Sequence, residues 1–136
     1  MPRVLVVDDD RDIRALLCMA LESEGFEVAS AQDGDEALVF LLATEQPCVV
    51  LLDVNMPSRN GWEVCAALSD TSWTGKSHRV MLMSAGLTGS VKLTPIVRHV
   101  VRKPFHLAQL LQSIRALANE PDKPVDLTAG AAPTDS

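Results

Sequence analysis

A chain of 136 residues with 47% hydrophobic and 22% charged residues has the make-up of one soluble globular domain with a sizeable core. Twelve Lys and Arg against 18 Asp and Glu leave a net charge of −6, which argues against nucleic-acid binding as the main task, since that work normally shows a basic excess. No apolar run is long enough to cross a bilayer and the start MPRVLVVDDD lacks a secretory pattern, so a cytoplasmic protein with no membrane partner is expected.

The first strand is predicted at residues 4–7, where VLVV has the composition of a strand covered on both faces. It runs straight into Asp8, Asp9 and Asp10. Packed carboxylates repel one another, so something must hold them. Ile13, Leu16, Leu17, Ala20 and Leu21 then recur with helical spacing and define a buried face. Gly25 closes that helix, with Glu22 and Glu24 on its solvent side. A short second strand follows at residues 26–29. Asp33-Gly34-Asp35 is a turn able to cap the next helix, whose buried face is Ala37, Leu38, Leu41 and Leu42.

The run CVVLLD, residues 48–53, is apolar without alternation and reads as a central parallel strand. A loop with Pro57 and Gly61 follows, and a third helix begins at residues 62–68. Residues 69–78 are polar and turn-rich, and residues 80–84 form a fourth buried strand. Residues 86–95 hold Gly86, Gly89 and Pro95, so any helix there is short. The fifth strand spans residues 97–101, with His99 in its middle. Leu107, Leu110, Leu111, Ile114 and Leu117 mark a final amphipathic helix. Residues 120–136 hold three prolines and no aromatic residue, which divides the chain into a domain at 1–119 and a flexible tail or linker at 120–136. Cys18, Cys48 and Cys65 are odd in number, lack CxxC spacing and sit in apolar runs, the pattern of buried free thiols.

Five strands alternating with helices argue an α/β fold, a doubly wound parallel sheet with helices on both faces and an irregular fourth helix. Ligands bind such sheets outside the carboxyl ends of the strands. There the predicted elements deliver Asp8 and Asp9 from strand one, Asp53 from strand three, Ser84 from strand four and Lys103 after strand five. Oxygen donors without His or Cys suit a hard cation, most simply Mg²⁺, which takes one or two carboxylates directly and leaves a third to act through water. Lys103 supplies a compact positive charge and Ser84 a hydrogen bond to an oxyanion. A carboxylate, Mg²⁺, a lysine and a hydroxyl together suit phosphoryl transfer, with the carboxylate itself as the nucleophile.

VLVVDDD with Arg14, LLDVNMPSRNGWE, MSA and RKPF together resemble the response-regulator receiver domain (CheY-like) of two-component signalling, over about residues 3–118. The resemblance implies the flavodoxin-like strand order 2-1-3-4-5 and a phosphorelay function. Asp53 would be the phosphoacceptor. Asp9, Asp53 and the backbone carbonyl of Asn55 would hold Mg²⁺ directly, and Asp8 through water. Ser84 and Lys103 would bind the phosphoryl oxygens, with Lys103 paired to Asp53 in the empty site. Asp10, without a metal role, is read as part of the helix start. The donor would be a phosphohistidine on a sensor histidine kinase or phosphotransfer protein. The recipient of the signal would be an effector protein or a C-terminal output domain. Such a domain catalyses its own phosphorylation and dephosphorylation without being a turnover enzyme. A phosphohydrolase with an aspartyl-phosphate intermediate tends to carry a second Asp where this chain has Asn55.

Two positions depart from the family pattern. Val100 stands three residues before Lys103, where an aromatic residue is usual, and the stretch from Ser84 to Lys103 is short. They raise the alternative of a receiver-like interaction module that works without phosphorylation. Gly86 leaves little bulk above an acyl phosphate, which implies a short-lived phosphorylated state. Arg98, His99 and Arg102 form a basic run read as a solvated edge.

Overall fold

The computed structural model describes residues 3–44, 46–56, 60–70, 78–84 and 96–120. Its elements run β1 (Arg3–Val7), α1 (Arg11–Ser23), β2 (Glu27–Ala31), α2 (Gly34–Ala43), β3 (Cys48–Asp53), α3 (Gly61–Asp70), β4 (Arg79–Ser84), β5 (Val97–Arg102) and α4 (Leu107–Ala118). All strand pairs are parallel and the order is β2-β1-β3-β4-β5. This is the doubly wound sheet expected. The irregular fourth helix, Gly86 and nearly all of the tail reading fall outside the described residues.

The sheet divides the interior into two cores. Leu5, Val7, Val50, Leu52, Val80 and Leu82 face Ala37 and Leu41 of α2 and Val64, Cys65 and Leu68 of α3. Val4, Val6, Val49, Leu51, Met81 and Met83 face Leu17 and Leu21 of α1 and Leu110, Ile114 and Leu117 of α4. Strand alternation sends neighbours in sequence to opposite faces, so β3 and β4, with helices on both sides, are buried along their whole length. β5 is an edge strand, and Arg98, His99 and Arg102 on it are exposed.

The helix ends follow from local chemistry. Asp10 caps α1, its side chain accepting from the N–H groups of Asp12 at 2.9 Å and Ile13 at 3.2 Å. Gly25, at φ 94°, ends the helix in the left-handed region. Its N–H bonds the carbonyl of Glu22 while that of Phe26 bonds Leu21, and the Phe26 and Leu21 side chains share one core. That use of Phe26 moves β2 one to two residues later than predicted. Asp33 caps α2 through the Glu36 N–H. α3 opens on a reciprocal cap: Asn60 accepts from the Glu63 N–H at 2.9 Å and Glu63 accepts from the Asn60 N–H at 2.8 Å. Gly61, predicted in a loop, is therefore the first residue of this helix.

Leu16 and Leu42 are corrected by the structure, being 53% and 49% exposed rather than part of the buried faces. Each helix meets the sheet along a stripe centred on Leu17 and Leu21 or on Ala37 and Leu41, and the flanking leucines turn outward. Cys48 and Cys65 are buried free thiols as expected, whereas Cys18 is half-buried.

Candidate functional site

Adjacent strands β1 and β3 pair Val7 with Leu52, so the chain delivers Asp8 and Asp53 side by side at the carboxyl edge. The neighbours of β1 are connected in opposite senses here, which is the switch point where doubly wound sheets open a crevice. Asp8 is fully buried and Asp53 is 4% exposed, while Asp9 is exposed. One carboxylate oxygen of each of the three lies within 4.8 Å of the others. Ser84 ends β4 and is buried. Lys103 follows β5, and its N–H bonds the Ser84 carbonyl at 2.7 Å, which ties the two strand ends together.

The Lys103 ammonium lies 3.3 Å from Asp53 Oδ2 and 3.5 Å from Asp8 Oδ2. The other oxygens are held by backbone. Asp8 Oδ1 accepts from the Asp10 N–H at 2.9 Å, and Asp53 Oδ1 from the Asn55 N–H at 3.2 Å. Burial, and after it the Asp8 carboxylate, pushes the Asp53 carboxyl above its ordinary range, against the opposing pull of Lys103 and the Asn55 N–H. One ammonium against three carboxylates leaves the cluster net negative when all are charged.

The residues fit a hard divalent cation. Every donor in the cluster is a carboxylate oxygen, and Asp8 Oδ2 is buried without a hydrogen bond, 3.5 Å from the nearest ammonium. An added ion of two positive charges would balance the excess. Asp10 takes no part, since its side chain is spent on the helix cap.

The structure thus brings Asp8, Asp9, Asp53 and Lys103 together, with Ser84 at the neighbouring strand end. Asn55 is exposed beside Asp53. Val100, half-buried, sits opposite Leu82 in β4 and packs on the core beneath α2 and α3. Two residues earned no role from the sequence reading. Arg14 donates from Nη1 to the Asp8 carbonyl at 2.7 Å. Gly61 donates its N–H to the Val54 carbonyl at 2.9 Å, seating the start of α3 against the end of β3. The pattern N-x-x-E at Asn60 and Glu63 was the signal for the second.

A protein-family model described as the response regulator receiver domain matches residues 4–115. Response regulator MprA of Mycolicibacterium vanbaalenii is 40% identical over 118 residues, 85% of this chain and 49% of that protein. The chain spans about half the length of the curated relatives it matches. Response regulator TrrA of Thermotoga maritima, solved with Mg²⁺ and BeF, is 32% identical with a TM-score of 0.72, covering 86% of this chain and 99% of that one. TrrA has also been solved in complex with histidine kinase ThkA. A CheY-like receiver domain protein of Methanospirillum hungatei is 27% identical with a TM-score of 0.75, covering 86% and 94%.

Proposed function

From the premise that this chain belongs to the response regulator receiver domain family, we propose that it accepts a phosphoryl group on Asp53 in a two-component phosphorelay and changes its binding to a partner in response. The observation that carries this reading is the pairing of Asp53 Oδ2 with Lys103 at 3.3 Å beside two further carboxylates at a strand-end crevice. A nucleophilic carboxylate, a fixed ammonium and an oxygen cage for a cation are the parts that phosphoryl transfer needs, because its catalysis is positioning and charge neutralisation.

The donor is the phosphohistidine of a sensor kinase or phosphotransfer protein, a reading supported by the ThkA–TrrA complex of a relative. A carboxylate oxygen of Asp53 forms the new P–O bond as the P–N bond to the imidazole breaks, and the imidazole leaves with the bonding pair. The Asn55 N–H, on Asp53 Oδ1, keeps the carboxylate from rotating. Lys103 shifts its ammonium from the bare carboxylates to the incoming phosphoryl oxygens, and the Ser84 hydroxyl donates to another. Asp9, Asp53 and the Asn55 carbonyl would hold Mg²⁺ directly, and Asp8 through water. When bound, the ion supplies the positive charge that the three carboxylates and the phosphoryl oxygens together require. The phosphorylated domain then acts on an effector protein or a linked output domain.

Incubating the protein with Mg²⁺ and a small acyl-phosphate donor tests this. The expected result is a mass gain of one phosphoryl group in the wild type and none in Asp53→Asn. No gain in the wild type would favour a phosphorylation-independent interaction module, the reading that Val100 in the aromatic position supports.

A further inference from the structure

The geometry points to Arg14 as a positioning residue that aims the carboxylate of Asp9 for cation binding, an inference that rests on the metal reading of the site above. Asp9 is exposed, so neither core packing nor its own burial fixes where its side chain points. What fixes it is the backbone around it, and Arg14 is the residue whose side chain reaches that backbone from α1. Its Nη1 donates to the Asp8 carbonyl at 2.7 Å, and its main-chain N–H donates to the Asp10 carbonyl at 3.0 Å. The Arg14 guanidinium therefore holds the peptide plane that enters Asp9, the plane that leaves Asp9 is held by the Asp10 N–H on Asp8 Oδ1 at 2.9 Å, and the Arg14 main chain holds the plane after Asp10.

The surrounding bonds explain why this hold is needed. Val7 is the last residue of β1 paired in the sheet, and past it, among the described residues, the backbone bond that Asp8 makes to a neighbouring strand runs from its N–H to the Ala31 carbonyl, at 3.3 Å. At the far side Asp10 is committed to capping α1. Between those two anchors stand three consecutive carboxylates whose repulsion favours a splayed loop. The guanidinium counters that in two ways. It makes a short charge-assisted bond to the loop backbone, and it adds positive charge beside the cluster without occupying any carboxylate oxygen. Lys103 cannot do the same, because it sits on Asp8 Oδ2 and Asp53 Oδ2. Arg suits the task better than Lys because its planar, multiply donating head loses less freedom per bond formed.

The test is a calorimetric Mg²⁺ titration of the full chain as wild type, Arg14→Met and Arg14→Lys, with melting temperature in Mg²⁺-free buffer measured alongside. Arg14→Met keeps the alkyl stem and loses the donor, and is expected to bind Mg²⁺ about tenfold more weakly, as residues that orient metal ligands from behind usually do. Arg14→Lys is expected to recover part of that loss. In phosphorylation assays the Mg²⁺ concentration needed for half-maximal rate should rise in Arg14→Met, while the rate at saturating Mg²⁺ stays near wild type. An Arg14→Met protein that binds Mg²⁺ within about twofold of wild type overturns the proposal, whatever its melting temperature, because the bond then serves only to pack α1. Should Arg14→Met fail to fold, Arg14→Lys carries the test alone, with unchanged affinity as the refuting result. A wild type that binds Mg²⁺ yet takes up no phosphoryl group refutes the phosphoacceptor reading and leaves this one standing. A wild type that binds no Mg²⁺ refutes both.

Discussion

Gly61 lies so close to Asp53 that a Cβ built on it would stand 2.9 Å from the Asp53 carbonyl oxygen. It would be equally close to the Cα of Val54, so the obstacle is backbone on the strand that carries the candidate nucleophile. Gly61→Ala must therefore push α3 and the end of β3 apart. The expected cost is about 1–3 kcal/mol, the range for overpacking a close-fitted site. Urea unfolding measures it, and phosphoryl uptake on Asp53 should slow as well. A variant as stable and as fast as wild type would show that the helix start yields freely.

On the proposed metal reading, Lys103 would compete with a cation for the negative charge of Asp8 and Asp53. In Lys103→Met those oxygens lose their ammonium, so the Mg²⁺-free protein should be destabilised by about 2 kcal/mol or more, as happens when one partner of a buried pair is removed. Mg²⁺ should then bind several-fold more tightly than in wild type, since it no longer displaces a resident charge. Melting temperature measured against Mg²⁺ concentration checks both parts. Weaker Mg²⁺ binding would contradict the competition.

The raised Asp53 carboxyl sets the sign of a pH effect. Between the ordinary carboxylate range and its raised native value, the folded protein holds a proton that the unfolded chain has released. Stability in Mg²⁺-free buffer therefore falls as pH climbs through that window and stays lower above it. Asp53→Asn has no proton to lose, so it should melt higher than wild type at neutral pH. The two curves should converge as pH drops towards about 4, where the unfolded carboxylate also takes up its proton. Parallel melting curves across this range would count against the burial argument.

The thiols should separate by reactivity. Burial pushes Cys48 up to about 11 and Cys65 up to about 12, so neither offers thiolate at neutral pH. Cys18 is raised too, mainly by burial, but is only half-buried. Iodoacetamide at mildly alkaline pH should label Cys18 first, and the other two only as the protein unfolds. Peptide mass mapping over time decides it, and early labelling of Cys65 would refute the packing around α3.

The strands were legible because their composition has one physical reading. An unbroken apolar run as short and β-branched as CVVLLD, behind Pro47, suits a strand covered on both faces, and its terminal Asp then emerges at the sheet edge. The separate duties of Asp8, Asp9 and Asp10 were less so. Which of three adjacent carboxylates is buried, exposed or spent on a cap depends on where β1 leaves its ladder and where α1 begins, and composition fixes neither to one residue. Leu16 and Leu42 misled for a related reason: helical spacing marks a broad apolar face, but the sheet covers only its centre. The doubly wound topology placed Lys103 at the same sheet edge as the carboxylates and the family pattern implied its pairing with Asp53, but its approach to Asp8 was not legible, since β3 and β4 lie between the strands that lead to them.

The two cores have a genetic consequence. Neighbouring residues on one strand, such as Leu51 and Leu52, belong to different interiors with no shared member. Leu51→Ala and Leu52→Ala should each cost about 2–5 kcal/mol, and substitutions paired across the sheet at well-separated positions should add more nearly than pairs within one interior. The sheet thus acts as a firewall between two lineages of substitutions. The α1 and α4 side can drift to suit one set of contacts while the α2 and α3 side drifts to suit another, and only the strand ends, where both meet, are held in common.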